Sequence, residues 1–326
     1  MTRALITGGA GFIGAHLSQR LLDSDCEIDL IDDLSRGRVD PDLAKLLEDD
    51  RVRLLERDLL DPGALRDLQG TYELIFHLAA IVGVENVLKA PERVLRHNVA
   101  LLVPVLELAA RQPRLQRLLF ASTSEVYAGT LELSSLPIPT PEDVPITLPD
   151  LSRPRTSYML SKLYGEALCM HAGVPATVVR PHNVYGPRMG LAHVIPELLQ
   201  RAHGASDGDR LEVYSVDHRR TFCYVSDAVE MIVRAVESPE CAGEVLNVGS
   251  QEPEITIGEL AELVIGVVGR ELEIAPLPAH QGSPERRCPD MSKTGRLTGH
   301  VAEVGLREGV RDTYDWYREN VFDAER

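Results

Sequence analysis

The chain opens with an apolar run at residues 3–7, a glycine-rich turn, and a helical apolar period reaching residue 22. A second apolar run at 27–31 ends in Asp32, and a third at 52–56 leads into Arg57-Asp58-Leu59. Further runs at 74–78, 117–121 and 176–179 have the length of buried strands and are too short for helices. Between them, apolar residues at helical spacing predict helices over 91–111 and 157–170. Later helices are predicted over 194–201, 226–236, 257–268 and 306–318, among strands at less regular intervals. Strands alternating with helices predict an α/β fold with a doubly wound parallel sheet and a smaller C-terminal α/β substrate domain. The expected division is residues 1–180 for a cofactor-binding domain, with 217–249 returning to it. Residues 181–216 and 250–326 are left for the substrate.

The turn after the first strand reads Gly8-Gly9-Ala10-Gly11-Phe12-Ile13-Gly14, with Gly8, Gly11 and Gly14 at three-residue spacing. Such a turn lets backbone approach a pyrophosphate, and the helix that follows offers free amides and a positive dipole end to it. Strand, turn and helix in that order point to a Rossmann-type dinucleotide site. Asp32, at the end of the second strand, accepts adenosine ribose hydroxyls and repels a 2′-phosphate, which favours NAD over NADP. Arg36 is the one nearby residue that would suit NADP. Asp58 and Leu59 are expected at the adenine edge, and the small residues of Leu78-Ala79-Ala80 would admit the cofactor to the fourth strand end. His77 reads as a packed strand histidine, and Asn98 as a brace for neighbouring backbone.

Composition adds limits. Thirty-four basic against fifty acidic residues give a net charge of −16, which argues against nucleic acid or an anionic membrane as partner. An anionic ligand must then be held by a few local arginines and helix N-termini. The five cysteines are scattered and lack Cys-x-x-Cys, as expected of reduced thiols in a cytoplasmic protein. No run reaches transmembrane length, the chain starts directly with a strand, and the ten histidines show no ligand spacing, so no metal is expected. Residues 136–154 hold six prolines and predict a stiff extended loop, either a plain surface connection or a lid.

The candidate chemistry lies on either side of that loop. The fifth strand runs into Ser122-Thr123-Ser124-Glu125, polar residues at the carboxyl end of a parallel strand, where ligands bind in such sheets. Tyr158 and Lys162 stand four apart on a predicted helix and so share one face. A neighbouring ammonium is expected to lower the phenol pKa towards neutrality, making it a base for an alcohol proton. On its own the pair is common on solvated helices; its place after a cofactor turn gives it weight.

In this order, TGGAGFIG, Asp32, HLAA, STSEVY, YMLSK and RPHNVYGP resemble the extended short-chain dehydrogenase/reductase family, and within it the NAD-dependent nucleotide-sugar epimerase/dehydratase group. The resemblance implies NAD held by the N-terminal domain and a nucleoside-diphosphate sugar, a UDP-sugar above all, held by the C-terminal part. It makes Tyr158 the base for the C4 hydroxyl, Lys162 its partner and a ligand of the nicotinamide ribose, and Thr123 the group that orients O4. Thr123-Ser124-Glu125 matches sugar dehydratases and uronate decarboxylases, while pure 4-epimerases carry serine or alanine at the third position. A solvated strand-end carboxylate is the plain alternative for Glu125.

Arg155, one turn before Tyr158, resembles the segment of UDP-glucuronate decarboxylases and would meet a uronate carboxylate; pairing with Asp150 or another acid is its alternative. The resemblance gives Arg220 either a proton-donating role or the nucleotide end of the substrate. It places Asn183, Arg220 and Arg286 at the diphosphate, with Arg287 read as solvated charge. The implied enzyme oxidises C4 and then eliminates, as a UDP-glucuronate decarboxylase or a 4,6-type dehydratase. A 4-epimerase is the alternative, and a non-catalytic NAD-binding regulator or an NADP-dependent carbonyl reductase lies further off. A homodimer through the helices of Asn98 and Tyr158 is also implied.

Overall fold

The computed structural model describes residues 1–68, 70–133, 136–279 and 284–324. In chain order its elements are β1 (Thr2–Thr7), α1 (Phe12–Asp23), β2 (Cys26–Asp32), α2 (Pro41–Leu46), β3 (Val52–Glu56), β4 (Leu74–His77), α3 (Val84–Lys89), α4 (Pro91–Ala110), β5 (Arg117–Ala121), α5 (Ala128–Leu133), α6 (Pro154–His171) and β6 (Ala176–Pro181). There follow β7 (Val184–Tyr185), α7 (Val194–Gly204), β8 (Arg210–Tyr214), β9 (Arg219–Arg220), β10 (Cys223–Tyr224), α8 (Val225–Glu237), β11 (Val245–Val248), β12 (Ile255–Thr256), α9 (Ile257–Val268), β13 (Glu273–Leu277), β14 (Arg286–Arg287), α10 (Ser292–Thr298) and α11 (Leu306–Tyr317).

Seven parallel strands form the central sheet in the order β3-β2-β1-β4-β5-β6-β11. Both faces are buried, which is why these strands read as continuous apolar runs instead of alternating ones. Ala4 and Ile6 face a layer containing Leu17 and Leu21 of α1 and Val229 and Val233 of α8. Leu5, Phe120 and Val178 face Leu102, Val105 and Leu108 of α4. A third apolar cluster joins α7, α9 and α11 to β8 and β13 beyond the carboxyl end of the sheet.

The proline-rich stretch carries no helix or strand between α5 and α6 and is fastened at several points. Thr140 bridges to Pro289, Glu142 Oε1 accepts the Asn247 amide at 2.8 Å, and the Thr147 amide donates to Thr130 Oγ1 at 2.9 Å. Beneath it lies a buried polar network. Glu166 takes both arms of Arg180 at 2.7 and 3.0 Å and the Ser122 hydroxyl at 2.5 Å. Arg180 donates to the Tyr127 hydroxyl, which donates to Asn247, and Asn247 donates to the carbonyls of Thr140 and Asp290. A buried ion pair is stable only when its remaining hydrogen-bonding positions are filled, and here they are. The network ties the catalytic-side helix α6 to the strap and to the loop after β14.

Candidate active site

The glycine turn sits where β1 ends. The Gly8 amide donates to Ile31 O at 2.8 Å, and Gly8 has φ +73°, a conformation that favours glycine. A Cβ on Gly8 would stand 2.8 Å from the Ala79 amide nitrogen, and one on Gly14 would overlap the Gly8 carbonyl. α1 starts at Phe12 with Gly11 as its N-cap, no capping side chain and no acidic residue in its first turn, so its leading amides are open to an anion. Phe12 and Ile13 pack onto the core beneath. Asp32 accepts the amides of Ala10 at 3.0 Å and Leu34 at 2.9 Å. Burial pushes its carboxyl up, against those two bonds. Asp58 accepts the Leu60 amide, Leu59 is buried, and the preceding Arg57 amide donates to Asp32 O, which brings the third strand end beside the second. Leu78 and Ala79 donate their amides to the Thr7 carbonyl and hydroxyl, and Ala80 follows. The candidate cofactor residues therefore line one crevice along the ends of β1 to β4, a glycine cradle with the Asp32 carboxylate at the end of β2, and this arrangement fits NAD.

Two side readings find their place here. His77 is buried, bonds Thr7 Oγ1 at 2.8 Å, and is lowered to about 3 by burial. Asn98 holds both the amide and the carbonyl of Ile81, at 2.7 and 3.1 Å, and reaches Ser161.

At the end of β5, Thr123 is extended and accepts the Glu125 amide at 3.2 Å, capping the single turn Ser124–Tyr127. Ser124 is buried under that turn. The Thr123 hydroxyl faces the Tyr158 phenol and favours its phenolate. α6 brings Tyr158 and Lys162 to the same side, but the expected lowering of the phenol is not what the fold produces. Lys162 Nζ donates to Ala121 O at 2.7 Å and stands 5.0 Å from the Phe120 ring centroid and 6.0 Å from that of Tyr158. Burial raises Tyr158 to about 12 and lowers Lys162 to about 8. Desolvation of both groups outweighs their proximity, because each loses its charged form's hydration while the ammonium is spent on a carbonyl.

Glu125 is the centre of the second half of the site. Arg287 Nη1 donates to its Oε1 at 2.9 Å, and Arg155 Nη2 lies 3.7 Å from its Oε2. The Arg287 charge, then those of Arg155 and Arg220, hold its carboxyl below the usual range although burial works the other way. Arg220 is pushed down to about 10, first by burial and then by Arg287, and anchors on the carbonyls of Arg219 and Pro284. Arg155 thus meets Glu125, while Asp150 instead accepts the Ser152 amide.

Arg286 does not join this group. It pairs with Glu254 at 2.6 and 2.8 Å on the other side of its strand. The pairing of β14 with β9 sets Arg287 beside Arg220 and Arg286 beside Arg219. Side chains alternate faces along a strand, so each neighbouring pair shares a face and the two pairs oppose each other. Arg287 is the residue that sequence reading left in solvent, and its signal was one step of alternation from Arg286, on the face shared with Arg220. Asn183, at φ +42°, donates to Thr221 O at 2.9 Å and so fixes the segment that leads to Arg220.

The sequence profile of the NAD dependent epimerase/dehydratase family matches residues 4–249. The chain belongs to this family. It is similar to the UDP-N-acetyl-alpha-D-glucosaminuronate decarboxylase of Bacillus cytotoxicus, 32% identical over 97% of this chain and 98% of the relative. It is similar also to UDP-glucuronic acid decarboxylase 1 of Xenopus tropicalis, 32% identical over 98% of this chain and 73% of that protein. Among solved structures, UDP-glucuronic acid 4-epimerase from Bacillus cereus, crystallised with UDP-glucuronic acid and NAD, superposes with a TM-score of 0.82. It is 26% identical, and the match covers 98% of this chain and 99% of the other. The chain is thus an NAD-dependent enzyme that modifies nucleotide sugars, and NAD is its cofactor. Among the described residues no group of histidine, cysteine and carboxylate side chains could hold a metal ion.

Proposed function

We propose that this enzyme is a UDP-uronate decarboxylase: it oxidises the C4 hydroxyl of a UDP-linked uronic acid and releases the C6 carboxylate as carbon dioxide. The observation that carries this reading is the cluster of Arg287, Arg155 and Arg220 around the single carboxylate of Glu125, next to Thr123 and Tyr158. Three guanidiniums against one carboxylate leave a positive patch at the reacting end of the sugar. A neutral hexose needs none, and a uronate matches it with bidentate geometry.

Tyr158 takes the C4 hydroxyl proton, and Thr123, facing the phenol, orients O4. Bound NAD supplies the hydride acceptor at C4 and, in its oxidised form, a positive charge that favours the phenolate. Lys162, charged below about pH 8, bonds the nicotinamide ribose. The 4-ketone makes the uronate a β-keto acid: the C5–C6 bond breaks, carbon dioxide leaves, and the electron pair is held by the C4 carbonyl as an enolate that takes a proton at C5 from solvent. Glu125 stays ionised beside its arginines and balances their charge, and Arg220 or Arg287 lies within reach of the departing carboxylate and of C5. Asn183 serves the diphosphate side. We assign residues 1–180 with 217–249 to cofactor binding and the remainder to the UDP-sugar. A cytoplasmic homodimer is the form we expect. The five buried free cysteines suit a reducing compartment, and among the described residues no helix is long and apolar enough to cross a membrane.

The likeness to the uronate epimerase favours one second reading, re-reduction at C4 without loss of carbon. Incubation with NAD and UDP-glucuronate, UDP-N-acetylglucosaminuronate or UDP-glucose, followed by mass spectrometry, separates the outcomes. Loss of carbon dioxide from a uronate is expected. An unchanged mass with altered stereochemistry at C4 makes the enzyme an epimerase, and loss of water makes it a dehydratase.

A further inference from the structure

Arg36 has no carboxylate partner among the described residues; its one hydrogen bond runs from Nη1 to Val82 O at 3.2 Å. The loop it belongs to follows β2, and Val82 belongs to the loop that follows β4. In the sheet, β1 lies between β2 and β4. A side chain reaching from one loop to the other must therefore pass above the carboxyl end of β1. The Gly8–Gly11 turn and the open amides of α1 lie directly below it.

The base of this bridge is fixed. Leu34 donates its amide to Asp32, a Cβ on Gly37 would stand 2.7 Å from that of Ala10, and Arg188 donates to the carbonyls of both Ala10 and Arg38. The Arg36 side chain is exposed and its guanidinium bonds a neutral partner. Its charge favours the Tyr158 phenolate and disfavours a protonated His193, so it is felt at the reacting end of the cleft as well. Arg57 and Arg188, also near the crevice, are committed to Asp67 and Asp40. The nearby lip carries Asp33, Glu56, Asp58 and Asp61, so a dianionic group bound here needs a local cation.

We infer that Arg36 is a cofactor-binding residue, a latch that crosses the glycine turn and grips the pyrophosphate of NAD. In doing so it trades a neutral carbonyl for a charge-assisted bond, which is the stronger of the two. The span towards β4 also separates this role from recognition of a 2′-phosphate. That group would sit by Asp32, on the β2 side, and the guanidinium reaches away from it.

The test is calorimetric titration of the full-length protein, freed of nucleotide, with NAD, ADP-ribose, NADP and adenosine. Arg36→Ala should weaken NAD and ADP-ribose about tenfold to a hundredfold, the worth of one hydrogen bond to a charged group. Adenosine, which has no phosphate, should bind as before, and the salt dependence of NAD affinity should flatten. Arg36→Gln keeps a hydrogen-bond donor but is shorter and carries no charge, and it should behave like the alanine variant. Melting temperatures should stay at the wild-type value, because the side chain is exposed. Unchanged NAD and ADP-ribose affinity in both variants would overturn the assignment. So would a loss confined to NADP, or a glutamine variant that binds like wild type. None of these readouts depends on which sugar the enzyme takes.

Discussion

Lys162 shows at the residue scale how function is placed against stability. Its folded pKa of about 8 lies below the unfolded value near 10.5, so between those values the unfolded chain binds a proton that the folded chain does not. Stability therefore rises with pH across that window, and at pH 7 the protein bears the whole cost of burying the ammonium. Lys162→Met should raise unfolding free energy at pH 7 by about 1–2 kcal/mol, the burial cost less the lost bond to Ala121 O, while abolishing turnover. Urea melts at pH 7 and pH 10 check this: the advantage of the variant should shrink at the higher pH. A variant less stable than wild type at pH 7 sinks the argument. Thr123, Glu125, Tyr158 and Lys162 could be singled out as candidates from the sequence because they stand at fixed offsets from a strand end and along one helix face. Charge states were not legible, since desolvation depends on what else packs there. Nor was the choice between Arg286 and Arg287, which one step of strand register decides.

At the scale of elements, α6 can carry Tyr158 and Lys162 to Thr123 only because Gly165 lets it approach β5. A Cβ at Gly165 would overlap the Phe120 ring, which is buried, stacked on His77 at 5.9 Å and covered by Lys162 Nζ. Gly165→Ala gains about 1 kcal/mol of helix propensity and loses about 1–3 kcal/mol to overpacking. Overpacking should win because Phe120 has nowhere to retreat. We expect a net loss of about 1 kcal/mol and at least a tenfold fall in kcat, since α6 must shift and the phenol with it. Thermal melts and steady-state rates check both, and a more stable, fully active variant refutes the packing argument. Long periodic elements were read well from the sequence: Val52–Glu56, Arg117–Ala121 and Ile257–Val268 match residue for residue. The two-residue strands β7, β9, β10, β12 and β14 were not, because so short a piece has no period and exists only through its distant partner. Those pieces carry Arg220 and Arg287, which is why this part of the site was the least legible.

Across the whole molecule, the same pair of helices that positions the base also leaves an apolar stripe on the surface. Val103 of α4 is 43% exposed, and Tyr164 and Met170 of α6 are 54% and 37% exposed. Ala100, Pro104 and Ala167 lie at neighbouring positions on those helices. α4 and α6 pack closely against each other, so the stripe is continuous across both. A second copy related by a twofold axis would bury it as a four-helix layer, with like meeting like across the axis. That arrangement would press on α6 from outside, opposite the contact of Gly165 with Phe120, and so hold Tyr158 against Thr123 from both sides. Sedimentation velocity at micromolar concentration should therefore give twice the monomer mass. Val103→Glu with Tyr164→Glu places four like charges in one dimer interface and should shift the protein to monomer. Because α6 then loses its outer support, kcat should fall several-fold while NAD affinity, which we assign to the glycine turn, Asp32 and Arg36, should stay at its wild-type value. A wild-type protein that sediments as a monomer, or a double variant that remains dimeric, rules out this face as the interface.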